Sequence, residues 1–64
     1  MPKVETNRNR IVSRLIQEEW ELVRHGAEHD IFRKAGENGV ISVPRHRELS
    51  PGVARQIART AGWI

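Results

Sequence analysis

Sixty-four residues, 38% of them hydrophobic and 30% charged, make one domain near the lower size limit for a chain that folds alone, so any active site is a surface cleft rather than a large internal cavity. No cysteine is present, which excludes disulfides and thiolate zinc sites, and no apolar run approaches the ~20 residues of a membrane span. The formal charge of +3 is uneven: residues 1–32 carry five Lys/Arg against six Asp/Glu, and residues 33–64 carry six against two, so the basic half points to a polyanion partner.

Residues 1–5 read as a loose, flexible tail ahead of a single domain spanning 1–64, and they hold no apolar segment of signal-peptide type. The cytoplasm is therefore the expected location. Thr6 or Asn7 caps a predicted helix running to about Glu19. Ile11, Val12, Leu15 and Ile16 form its apolar stripe, with Arg10, Arg14, Gln17 and Glu18 facing away. The period then changes. Residues 20–25 alternate like a strand, Gly26-Ala27-Glu28 makes a short turn, and residues 29–34 read as a second strand. After the turn at residues 36–39, residues 40–43 form a third strand stopped by Pro44, which cannot donate to a ladder. Connections this short imply antiparallel hairpins.

Residues 44–49 form a basic loop, and Ser50-Pro51 starts a second helix with a capping hydroxyl and a proline at its first position. Val53, Ala54, Ile57, Ala58 and Ala61 line one face, Arg55 and Arg59 sit together on another, and Gly62 ends the helix. Trp63 and Ile64 are expected to fold back as a hydrophobic plug. The order α-β-β-β-α gives an α+β fold, a three-stranded antiparallel sheet with two helices on one face. The expected core joins the helical stripes to Trp20, Leu22, Phe32, Ile41 or Val43.

His25 to His29 matches the H-x-x-E-H zinc-peptidase pattern in letters. That pattern needs a helix, where residues four apart share a face. Here Gly26 and flanking strand patterns put the two histidines on opposite sides of a turn, so no metal site is expected. His29 at a strand start, with His46, Arg45 and Arg47 on another loop, suits a different chemistry. RNA carries its own nucleophile in the 2′-hydroxyl, and its cleavage needs a group that titrates near neutrality and cations for the charged phosphorane. A histidine and several arginines meet that need without a metal.

The segments Glu18–Arg24, Gly26–Lys34, Gly39–His46 and Glu48–Trp63 together resemble the HicA toxins of bacterial toxin–antitoxin pairs over about residues 8–64. The most specific pieces are G-x-x-H-D-I-F at Gly26 to Phe32, V-P-R-H at Val43 to His46 and L-S-P-G at Leu49 to Gly52. The resemblance implies a fold like that of double-stranded-RNA-binding domains and a metal-independent endoribonuclease acting on mRNA. It also implies neutralisation by a HicB antitoxin, no cofactor, and His29, three residues before Phe32, as the catalytic residue. Lys34, Arg45, His46 and Arg47 are the candidates for RNA phosphate binding. Two departures stand out. Glu19 precedes Trp20 where many members carry glycine, and the Gly-Ala-Glu-His turn is one residue longer than the common Gly-Ser-His, placing Glu28 beside His29. The competing readings are a non-catalytic RNA-binding module and a pure protein-interaction domain.

Overall fold

The computed structural model describes residues 4–64. The elements follow the expected order: α1 (Arg8–Gln17), β1 (Glu21–His25), β2 (His29–Arg33), β3 (Ile41–Pro44) and α2 (Pro51–Ala61). Of the expected tail, residues 1–3 lie outside the described residues, and Val4 packs partly buried against the core. Asn7, not Thr6, caps α1, its side chain accepting from the Arg10 N–H at 3.1 Å. Ser50 caps α2 by accepting from the Val53 N–H.

Both helices end in the same way. Glu19 N–H donates to Ile16 C=O and Trp20 N–H to Leu15 C=O. Gly62 N–H donates to Arg59 C=O and Trp63 N–H to Ala58 C=O. Each is a Schellman turn with a left-handed residue followed by tryptophan. The left-handed residue is Gly62 in one, with φ +83°, and Glu19 in the other, with φ +72°. The first helix therefore stops at Gln17, short of the expected Glu19, because the chain has already turned off its axis.

The sheet is an antiparallel meander in the order β1-β2-β3. Phe32 pairs with Ile41 and Asp30 with Val43, and all four are buried. These positions define the inner face, and the helices cover it with Ile11, Leu15, Ala54 and Ile57. Trp20 and Leu49 close the core. The molecule is only 17 Å thick along its shortest axis, enough for two layers, so the other face of the sheet stays open.

Three expected core residues are displaced. Leu22 faces the inner side opposite Phe32 but is 51% exposed, because β1 is an edge strand beyond the reach of both helices. Ile16 is 59% exposed and Val53 lies at the margin of the α2 stripe. Trp63 folds back as expected, whereas Ile64 remains exposed. The Trp63 indole N–H donates to Glu18 Oε1 at 2.8 Å, and Arg14 stacks 4.3 Å above its ring while donating to Glu18 Oε2. The Trp63 hydrogen bond, then that from Arg14, holds the Glu18 carboxyl below its ordinary pKa. The ends of the two helices are thereby clasped together.

Candidate functional site

β1 contains a bulge between Leu22 and Arg24, so that Leu22 opposes Phe32 while Arg24 opposes Ile31. Simple alternation from Leu22 would put Arg24 on the inner face and His25 on the open one. The extra residue reverses both. Arg24 joins Ile31 on the open face, and His25 faces Asp30 on the inner side.

His29 opens β2 and pairs with Pro44 of β3. One residue from inward Asp30, it belongs to the open face and is exposed. Its carbonyl accepts the Gly26 N–H at 2.9 Å. A Cβ on Gly26 would stand 2.8 Å from that carbonyl oxygen. The glycine is needed here for close approach of two backbones rather than for a left-handed dihedral. Around His29 lies a shallow depression lined by Arg24, Glu28 and Ile31. It offers one imidazole, one guanidinium and one opposing carboxylate.

The remaining candidates divide. Lys34 lies just beyond the opposite end of β2 from His29, about 16 Å away at the usual strand rise. Arg45 N–H donates to Glu28 C=O at 3.0 Å, tying the basic loop to the hairpin tip. The Arg45 side chain turns to Asp30, with Nε at 3.2 Å and Nη2 at 3.0 Å from Oδ1. His46 and Arg47 are exposed.

The sequence reading missed the hub of this region, Asp30, which is 6% exposed. Its carboxylate accepts from Arg8, from Arg45 and from His25 Nδ1, the last at 2.8 Å. Arg8 Nε also donates to Pro44 C=O at 2.8 Å. Burial pushes the Asp30 carboxyl up, but the hydrogen bonds and charge of Arg45, helped by His25, outweigh it and hold the carboxyl below its ordinary pKa. The available signal was an aspartate within a strand, where that residue is depleted. Thus His25 and His29 serve two different depressions on opposite sides of the hairpin end.

A family model described as the HicA toxin of bacterial toxin–antitoxin systems matches residues 8–63. No curated protein sequence matches the chain.

Proposed function

Because the chain belongs to the HicA toxin family of bacterial toxin–antitoxin systems, we propose that it is a metal-independent endoribonuclease that cleaves mRNA through His29 and is neutralised by a HicB antitoxin. The observation that carries the reading is the exposed His29 imidazole beside Arg24, on a backbone fixed by the Gly26 bond and the Pro44 pairing.

The chemistry follows from the substrate. The RNA 2′-hydroxyl attacks the adjacent phosphorus and loses its proton. The P–O5′ bond breaks, and the 5′-oxygen gains a proton. His29 acts as the base for the first transfer or as the acid for the second. Arg24 is suitably charged to stabilise the phosphorane. The products are a 2′,3′-cyclic phosphate and a 5′-hydroxyl, and no metal-activated water takes part. Arg45, His46 and Arg47 lie on the loop joined to the hairpin tip and suit the flanking phosphates. Lys34, at the other end of β2, suits only a strand that runs the length of the sheet.

An inhibitor matched to this surface presents Asp and Glu to the basic loop and covers His29. Such an interface typically buries about 800 Å² per partner, a sixth of the 4789 Å² surface of this domain.

The decisive experiment compares the purified chain with His29→Ala on one RNA in the presence of a strong chelator. His29 is exposed and leaves no core cavity, so His29→Ala is expected to fold with stability within about 1 kcal/mol of the parent and to lose cleavage. Full cleavage by the folded variant removes His29 from the mechanism, and products with 5′-phosphate ends contradict attack by the internal hydroxyl. A parent chain that binds RNA without cutting it supports the non-catalytic module instead.

A further inference from the structure

The cleft on the helix side of the sheet is built from three remote segments: the start of α1, the end of the β1–β2 hairpin, and the loop after β3. Arg8, His25, Asp30, Arg45 and Arg47 line it. Three guanidiniums against one carboxylate leave a net charge of +2, and His25 adds a further donor. Asp30 is saturated by Arg8, Arg45 and His25, so its charge is spent inside the cluster rather than displayed. Glu48, the acid on the loop, accepts from the Thr6 hydroxyl and does not line the cleft.

One feature of this arrangement runs against stability alone. At the start of α1 the Glu5 carboxylate accepts the Asn7 N–H and pairs with Arg10, and Arg8 is paired with Asp30, but the third guanidinium of the cleft is left over. The Arg47 carbonyl accepts the Arg8 N–H at 3.0 Å, while the Arg47 side chain makes no hydrogen bond or ion pair among the described residues. A guanidinium with no partner among the described residues, beside two others held in place by a buried carboxylate, is a preorganised anion receptor. With Nδ1 donating to Asp30, the other nitrogen of His25 donates to an outside anion when the ring is an imidazolium, and the side chain is 68% exposed.

We propose that this cleft is a phosphate subsite for the RNA strand, with His25 and Arg47 touching the phosphate and Asp30 as the positioning residue that aims His25, Arg8 and Arg45. The inference rests on the ribonuclease reading above and adds to it a second point of contact, separate from the His29 depression. The hairpin tip at residues 26–28 lies between the two sites, and the Arg45–Glu28 bond fixes their spacing. A strand crossing the end of the sheet can therefore engage both without any rearrangement of the chain.

The test measures binding of a short single-stranded RNA to His29→Ala, in which cleavage is removed, by fluorescence anisotropy across a salt series. Arg47→Gln and His25→Asn are added separately. The asparagine can still donate to Asp30 but lacks the outward nitrogen. Arg55→Gln on the exposed side of α2 serves as the control for overall charge. Arg47→Gln is expected to weaken binding by about threefold to tenfold, the net worth of one typical hydrogen bond, and to flatten the log–log salt slope by about 0.7. His25→Asn is expected to weaken binding at unchanged melting temperature, and Arg55→Gln to leave the slope alone. Equal effects of Arg47→Gln and Arg55→Gln reduce the cleft to a diffuse field and overturn the proposal. RNA binding that ignores both cleft variants overturns it too, while the ribonuclease reading stands. No binding to the His29→Ala chain at low salt removes that reading and this subsite together.

Discussion

Glu19 occupies a backbone conformation that costs an L-residue about 1–2 kcal/mol, whereas Gly62 meets the same demand in the second helix without a Cβ. Two Schellman turns in one chain thus differ chiefly in this residue. Glu19→Gly is expected to raise stability by about 1 kcal/mol, part of the relieved strain being offset by the freedom glycine gains when unfolded. In a domain of this size that corresponds to a rise in Tm of about 4–8 °C, read from a thermal melt. The departure from the family pattern was legible in the sequence as a missing glycine, and the positive φ supplies its physical meaning. Asp30 was harder to read. Nothing local announces that Arg8, twenty-two positions earlier, and Arg45, fifteen later, converge on it. Ion pairs between distant segments leave no periodicity for a pattern to detect.

The elements themselves were legible because each carries a complete local signal. Asn7 and Ser50 cap, Pro51 starts, Gly62 stops, and Pro44 closes the third strand. Which face of β1 is buried was not legible. Its five residues are all exposed, so hydrophobic alternation carried no information there, and the bulge shifted the register midway. The consequence is measurable as a contrast between two neighbours on one face. Phe32→Ala, at a position 2% exposed, is expected to cost about 3–5 kcal/mol, close to the whole stability of roughly 3–10 kcal/mol expected for this length. Leu22→Ala, directly across the ladder, is expected to stay within about 0.5 kcal/mol. Urea unfolding of the two variants checks both, and a comparable loss at Leu22 contradicts the edge placement of β1.

At the scale of the whole molecule, polar contacts hold both ends: Glu18 with Trp63 clasps the two helices to each other, and Asp30 with Arg8 and Arg45 ties the start of α1 to the sheet and the loop after β3. Both carboxyls have folded-state pKa values below their ordinary ones. A carboxyl shifted down stabilises the fold above its unfolded-state pKa and loses that contribution as pH falls through the folded-state value. Stability is therefore expected to decline once pH drops below about 4, the ordinary carboxyl range, and to continue declining below it. Asp30→Asn, compared with the parent by urea unfolding across pH 2–7, is expected to flatten that acid limb; an unchanged limb contradicts the assignment. The strand order has a further consequence, in time rather than in energy. A meander forms from neighbours in sequence, so its hairpins close over short loops. The Asp30 cluster is complete only when Arg8, twenty-two positions away and on the helix, reaches it, a longer span than any pairing in the sheet, so its loop-closure entropy is larger. The sheet is expected to be assembled in the transition state and the cluster only after it. In stopped-flow chevrons, Asp30→Asn then accelerates unfolding and leaves folding nearly unchanged, whereas Phe32→Leu slows folding. Equal slowing of folding by both variants contradicts that order. The basic cleft is then the last part of the chain to form and the first to open.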